Sequence, residues 1–377
     1  TVIAGRKLVV KVKYNREIYD QKTIERFLES FDAVLMQVVK GEARIAELSL
    51  LTDNLSAELD ALNRTECPYD ENRTVVDLIQ EAIGRYGDRT AVVYRDHKMT
   101  YRQFGEMTDR IASYIHSRGI GREDVVAILI PRCEYMPAAA YGVVKAGAAY
   151  QPLDPSYPPE RLKFMMEDAK VRLLIAEEAL LPLVPDYEGE VLTIEELAGL
   201  QDAAAAEERK PWYPSKEDLF ILLYTSGTTG LPKGVMLEHG NLAAFIHWYR
   251  NYYHMTEDSR AAAYASFGFD ANMMDTYPAL ASGGQVHIIE EEIRLELLAL
   301  RNYFEKNQIT HSFMTTQVGR QYASLFPDAR YPKYLSVGGE TLVPVALPEY
   351  RFYNVYGPTE CTILTTAFPM DRMYQNV

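Results

Sequence analysis

Apolar and polar side chains alternate with period two through Lys7-Leu-Val-Val-Lys-Val-Lys-Tyr14, a pattern that predicts a strand. Beyond it, Ile24, Phe27, Leu28, Phe31, Leu35 and Val38 recur at helical spacing between about residues 21 and 39. One apolar stripe results, and such a helix needs a partner. Residues 40–73 lose this order: a short helical piece gives way to Asn63-Arg-Thr-Glu-Cys-Pro-Tyr-Asp-Glu-Asn-Arg73, polar and aperiodic, which reads as a linker. From residue 74 onward helical patterns alternate with short β-rich runs, the signature of a mainly parallel sheet covered by helices. Strands are predicted at 125–130, 171–175, 219–224, 285–289 and 352–356, with helices at 101–118 and 293–306 among the segments between them. The acidic, alanine-rich stretch 200–210 reads as a solvated helix or loop, and no internal repeat is visible. Three segments are therefore expected: 1–39, 40–73 and 74–377.

Composition narrows the function. A chain of 377 residues with 47% hydrophobic content can bury a large core. Its formal net charge of −14, spread without a basic block, argues against nucleic acid or an anionic membrane as a partner. The longest apolar runs, such as 124–131, fall far short of the ~20 residues a membrane helix needs. Cys67, Cys133 and Cys361 lie far apart without metal-ligand spacing, so a reducing, cytoplasmic setting is expected. With no repeated apolar face, a monomer is expected too. Thr1 lacks an initiator methionine and the last residues show no closing helix, so the chain reads as a fragment of something longer.

The chemistry concentrates in Leu223-Tyr-Thr-Ser-Gly-Thr-Thr-Gly-Leu-Pro-Lys-Gly-Val-Met-Leu-Glu-His-Gly-Asn241, directly after a predicted strand. Gly227, Gly230 and Gly234 let the backbone turn tightly and aim N–H groups inward. Thr225, Ser226, Thr228 and Thr229 supply hydroxyl donors, and Lys233 adds a mobile positive charge. A triphosphate fits such a cradle. A Walker loop would need Gly-Lys-Ser/Thr opening a helix, whereas here Pro232 precedes the lysine and Gly234 follows it.

This loop resembles the signature of the adenylate-forming superfamily, and its companions follow in family order. Met99-Thr-Tyr-Arg-Gln-Phe104, Val144-Lys-Ala-Gly-Ala-Ala-Tyr-Gln-Pro-Leu-Asp154, Phe269-Asp-Ala-Asn-Met-Met-Asp275 and Asn354-Val-Tyr-Gly-Pro-Thr-Glu360 resemble the first, second, fourth and fifth core motifs. The second and fourth favour the amino-acid-activating branch, the adenylation domains of nonribosomal peptide synthetases. The resemblance implies an α/β fold for 74–377: the large N-terminal lobe, with mainly parallel sheets flanked by helices and without the small C-terminal subdomain. It also makes 1–39 similar to the tail of a condensation domain and 40–73 an interdomain linker.

By the same resemblance, Thr225, Ser226, Gly227, Thr228, Thr229, Gly230 and Lys233 would hold the β- and γ-phosphates of ATP. Tyr356 would stack on adenine, Gly339 and Glu340 would line the adenine site, and Gly357 belongs to the same nucleotide set. Thr359 would reach the α-phosphate and Glu360 would ligate Mg²⁺. Thr225, Lys233, Thr359 and Glu360 are thus the expected catalytic set. Asp270 would pair with the substrate's α-ammonium, with a helix N-cap as the competing reading. The side-chain pocket would be lined by Ala271, Met274, Phe313, Ser336, Gly338, Val355, Ile363 and Leu364. A charged side chain would have no partner there, so an apolar substrate is expected, with leucine, isoleucine or valine preferred and phenylalanine and methionine open.

Two departures stand out: Asn272 and Asp275 occupy positions where the family more often has a small hydroxyl and a glutamate. The ribose-binding aspartate and the lysine of the small subdomain have no counterpart in this chain, so little adenylate formation is expected from it alone. The expected activity is amino-acid adenylation for loading onto the phosphopantetheine thiol of a carrier domain, with carrier and condensation domains as partners. The alternatives are an aryl or acyl acid ligase of the same superfamily and a noncatalytic docking scaffold. His247, His254 and His311 lack the partners of a triad or metal site and are expected to be structural.

Overall fold

The computed structural model describes residues 2–3, 9–41, 44–200, 213–225 and 232–373. They fall into two compact units, Thr1–Pro68 and Tyr69–Val377, which divide within the stretch read as a linker.

In the first unit, Val9–Val10 pairs antiparallel with Val2–Ile3. The strand predicted over 7–14 is therefore shorter where it is described: residues 11–14 form no strand, and Lys7 and Leu8 lie outside the described residues. The helix Gln21–Lys40 follows, where the apolar stripe predicts it. Asp20 caps it by accepting the Thr23 N–H at 2.7 Å, and Gly41, at φ 74°, ends it in a left-handed turn that only glycine adopts without strain. A second helix, Asp53–Leu62, is capped by Thr52. Arg26 pairs with Glu58, and the Gln37 amide holds Ser49 through both backbone groups. Neither helix has a fully buried residue.

In the second unit two sheets carry the fold. The six-stranded sheet runs Lys233–Glu238, Leu219–Thr225, Ala149–Pro152, Val125–Leu129, Leu173–Ala176, Glu190–Thr193, parallel except for its first pair. The eight-stranded sheet runs Thr366–Pro369, Arg351–Tyr356, Tyr334–Gly338, His311–Thr315, Arg260–Ala263, Gln285–Ile288, Thr90–Tyr94, His97–Thr100, antiparallel only at its two edges. Its central strands are flanked by helices, as crossover connections between parallel strands require. The mainly parallel α/β architecture expected from the sequence is the one observed.

In this unit each predicted strand is present within two residues at either end. The helix predicted over 293–306 is instead two, Glu291–Arg294 and Leu297–Asn307. Leu295 and Leu298 are 64% and 62% exposed, and the core is met by Leu300 and Phe304. Most of the acidic stretch, 201–210, lies outside the described residues.

The helix Ala271–Ala281 ties the sheets together, and each of its residues is buried. On one side Tyr277 meets Phe220 of the six-stranded sheet edge-on at 5.1 Å. On the other, Asp275 accepts the backbone N–H groups of Tyr264 and Ala265, just past the strand Arg260–Ala263. Tyr101 closes the far end, its hydroxyl donating to the Gly284 carbonyl at 2.7 Å. A buried hydroxyl left without a partner would cost about 1–3 kcal/mol.

Candidate active site

The expected site residues come from six segments, and parallel-strand topology gathers several of them at the carboxyl ends of strands, where open α/β sheets place ligands. Register puts Phe313, Ser336 and Tyr353 side by side on three adjacent strands, with Thr315, Gly338 and Val355 one pleat further on. Ser336, Gly338 and Val355 are buried and Phe313 is half-buried. A Cβ at Gly338 would lie 2.6 Å from the Val355 carbonyl oxygen and 3.4 Å from the Phe313 ring, so the strands can approach this closely only with glycine. Ala271, Met274, Val355 and Ile363 share one hydrophobic cluster, against which Phe313 and Leu364 pack. Ser336 adds a polar neighbour, its hydroxyl donating to Tyr253 Oη at 3.0 Å.

Past Gly338 the chain turns through Gly339 at φ 99° to Glu340. Thr316 fixes that turn, its hydroxyl donating to the Glu340 carbonyl at 3.0 Å and accepting the Glu340 N–H at 3.3 Å. The next strand ends at Tyr356, whose side chain is 67% exposed, as an aromatic platform must be to receive a ring. At Gly357 the returning chain comes so close that a Cβ would sit 2.2 Å from the Ile363 carbonyl oxygen. Thr362 and Ile363 accommodate this return at φ 61° and 73°, a conformation costly for β-branched residues.

The turn Thr359–Cys361 carries two of the expected residues toward Asp270. Thr359 Oγ1 donates to Asp270 Oδ2 at 2.8 Å. Asp270 occupies the N-cap position of Ala271–Ala281 without making the side-chain capping bond of that position, and its carboxylate accepts from Thr359 instead. Burial pushes its pKa above the usual carboxylate value, the Thr359 hydroxyl and the Ala271 N–H oppose this, and nearby Glu360 adds to the rise. Glu360 is exposed. The strand Lys233–Glu238 packs beside the same turn, and its first residue, the exposed Lys233, lies opposite Thr225 in register. Ser226, Gly227, Thr228, Thr229 and Gly230 lie outside the described residues.

Among the described residues no cluster of three or more His, Cys, Asp or Glu side chains is placed to hold a metal ion. A single exposed carboxylate such as Glu360 still fits Mg²⁺, which is commonly held by one or two carboxylates together with phosphate oxygens.

Sequence reading missed the grip on the segment that leads into Asp270. Arg132, just past the strand Val125–Leu129, donates to the carbonyls of Ala263, Tyr264 and Ala265 at 3.0, 2.8 and 2.8 Å. From the other side Asp275 accepts the N–H groups of Tyr264 and Ala265 at 3.0 and 2.9 Å, and Asn272 donates to the Ala265 carbonyl at 3.2 Å. Asp154 accepts from the Ser266 hydroxyl. Full burial pushes the Asp275 carboxyl up to about 8 against the pull of these N–H groups and of Arg132. The two departures from the family pattern, Asn272 and Asp275, thus hold backbone. The only signal available was the presence of Asn272, Asp275 and Thr276 in an otherwise apolar helix.

The histidines have structural neighbours. His311 is buried, stacks on Tyr334 at 4.6 Å and bonds the Tyr253 carbonyl at 3.0 Å, and burial pushes its pKa down to about 4. His247 bonds Asn251, and His254 lies edge-on to Tyr334.

Two mainly parallel sheets bridged by a buried helix, with these motifs at one edge, define the large lobe of an adenylate-forming enzyme. The chain belongs to the AMP-binding enzyme family, whose model matches residues 79–376. It is 32% identical over 377 residues to bacitracin synthase 1 of Bacillus licheniformis, covering 99% of this chain and 7% of that protein. It is 35% identical over 367 residues to surfactin synthase subunit 1 of Bacillus subtilis (strain 168), covering 96% of this chain and 10% of that protein. The chain therefore spans a tenth or less of these relatives. Among solved structures, AB3403, a four-domain nonribosomal peptide synthetase bound to AMP and glycine, superposes with a TM-score of 0.81 at 25% identity, covering 95% of this chain and 27% of that one.

Proposed function

We propose that this lobe binds ATP and a free amino acid and, within a longer synthetase, joins them as an aminoacyl adenylate. The observation that carries the reading is the 2.8 Å bond between Thr359 and Asp270, which sets the expected α-phosphate contact beside the expected α-ammonium contact. A substrate held by its ammonium at Asp270 has its carboxylate within reach of Thr359, and so of the α-phosphorus. One carboxylate oxygen attacks that phosphorus, the bond to the β-phosphate breaks, and pyrophosphate leaves. Lys233, with the loop 225–230, would neutralise the departing charge, and holding both reactants in line supplies much of the rate. Tyr356, Gly357, Gly339 and Glu340 would hold the adenine, and Thr225 would reach the phosphates. Mg²⁺ held by Glu360 would supply further charge neutralisation at the phosphates.

The side-chain pocket would take an apolar aliphatic amino acid, because Ala271, Met274, Phe313, Val355, Ile363 and Leu364 offer no ion-pair partner. Residues 1–39 would be a condensation-domain tail and 40–73 a linker, with a carrier domain's phosphopantetheine thiol as acceptor of the adenylate. The missing lysine and ribose-binding aspartate would come from the small subdomain and adjoining chain of the longer protein, in a cytoplasmic setting. Asp270 separates this reading from an aryl or acyl acid ligase, which needs no acid at that position. A noncatalytic scaffold would have no use for the Thr359–Asp270 pair.

Calorimetric titration with ATP·Mg²⁺, then with leucine, isoleucine, valine, phenylalanine and glutamate, tests the proposal. Binding of ATP and one apolar amino acid is expected. Binding of ATP with glutamate would overturn the pocket reading, and no binding of either, with the small subdomain restored, would leave the scaffold.

A further inference from the structure

A second cavity, with three arginines against two acids in its lining, lies in the same unit and shares no lining residue with the site around Asp270. Residues 69–73, the helices Val75–Tyr86 and His239–Tyr252, and the end of Ala271–Ala281 enclose a volume of about 370 Å³. Its charged and titratable lining comprises Arg73, Arg85, Arg250, His247, Asp70 and Glu81.

The acids do not balance the guanidiniums. Glu81 is committed to Arg73 at 2.6 Å, and Asp70 accepts the Asn72 N–H. Arg85 is exposed and lies over the Tyr86 ring at 5.2 Å. Arg250 is half-buried, and among the described residues its guanidinium forms no ion pair and donates no hydrogen bond. Burial pushes its pKa below the usual arginine value, Glu81 opposes this and Arg73 reinforces it. An arginine stays charged even so. A half-buried cation facing a second arginine carries an electrostatic cost that Glu81, already paired with Arg73, offsets only in part. An anion inside the cavity supplies the remainder. Planar guanidiniums match phosphate in particular, through paired N–H donors. His247 and Asn251, bonded to each other at 3.1 Å on the same wall, add polar groups.

We infer that this cavity is a binding site for a small phosphate-bearing ligand, held by Arg250 and Arg73 and separate from the nucleotide site. The volume exceeds what a phosphate group fills, which leaves room for an organic substituent.

Calorimetric titration of the chain with inorganic phosphate and with glycerol phosphate tests the site and tells a free phosphate from a phosphomonoester. At least one should bind, and Arg250→Met should weaken that binding by about tenfold or more. ATP·Mg²⁺ affinity should stay within about twofold, which also reports that the variant is folded. Arg250→Lys keeps the charge without the fork and should fall between the two, a reading that survives if the methionine variant does not fold. Lys233→Ala should leave phosphate affinity unchanged. Failure of both probes to bind at millimolar concentration overturns the inference. So does affinity undiminished in Arg250→Met, or phosphate binding lost in Lys233→Ala and kept in Arg250→Met.

Discussion

At Asp270 burial and function pull in opposite directions. A carboxylate half out of water is costly to ionise, yet only the ionised form attracts an ammonium; the Thr359 hydroxyl and the Ala271 N–H hold it toward ionisation. Asp270→Asn keeps size and removes charge, so amino-acid affinity should drop by about tenfold or more while ATP affinity changes by less than about twofold; losing one member of a buried charge pair costs about 2–5 kcal/mol. Equal loss of both ligands in parallel titrations would make Asp270 a structural cap instead. Because its pKa is raised, amino-acid affinity should decline on acidification at a higher pH than for an ordinary carboxylate. Asp275 makes a different prediction. Its folded-state pKa, about 8, lies above its unfolded value, so the folded chain holds the extra proton between about pH 4 and pH 8. Stability from this group is therefore fully present below about pH 4 and is lost as pH rises through 8. Urea unfolding at pH 6 and pH 9 should show wild-type losing stability over that interval and Asp275→Asn losing less; equal losses would remove Asp275 as the source.

The elements that build the site differ in how readily a sequence discloses them. Buried parallel strands such as Val125–Leu129 and Leu219–Thr225 are continuous apolar runs bounded by polar residues, and their positions follow from that alone. The helix Ala271–Ala281 is buried all round, including its polar residues Asn272, Asp275 and Thr276, so periodicity could give neither its burial nor its role as the bridge. The segment 291–307, expected as one helix, is two, broken at the exposed Leu295 and Glu296. The Arg132 grip was invisible because it joins side chains from distant parts of the chain, and only tertiary structure brings them to one loop. Motifs survived this limit where backbone geometry demands a residue type. Gly338 was legible only as a pocket position implied by the family resemblance, and its structural reason is the 2.6 Å approach to the Val355 carbonyl. Gly338→Ala must push two paired strands apart, so it should destabilise the chain by about 1–3 kcal/mol in denaturant titration and weaken amino-acid binding more than ATP binding. An unchanged amino-acid affinity would mean that this strand pair does not bound the pocket.

At the scale of the second unit, each sheet packs a cluster of its own, Met314, Leu335 and Phe352 on the eight-stranded sheet and Val125, Leu174 and Leu222 on the six-stranded one, but the two also share a larger core. One hydrophobic cluster contains Phe220 and Ile221 from the six-stranded sheet, Ala261, Val286 and Tyr353 from the eight-stranded sheet, and Met273, Met274 and Tyr277 from the helix between them. Neither sheet can lose its packing without exposing apolar surface of the other, and about 25 cal/mol per Å² of exposed apolar area penalises such an intermediate. The unit should therefore unfold as one cooperative block. With the other tryptophan replaced (Trp212→Phe), Trp248 reports on this directly, since it stacks on Tyr252 at 5.0 Å and lies edge-on to Tyr253, in the helix that packs against Ala271–Ala281. Phe220→Ala, a truncation in the six-stranded sheet costing about 3–5 kcal/mol, should move the Trp248 fluorescence transition and the far-ultraviolet ellipticity transition of residues 69–377 to lower denaturant together. If ellipticity instead splits into two steps while Trp248 keeps its midpoint, the bridging helix does not couple the sheets. Asp270 would then be positioned by the eight-stranded sheet alone, and the Arg132 contacts reaching it from the other sheet would be dispensable for amino-acid binding.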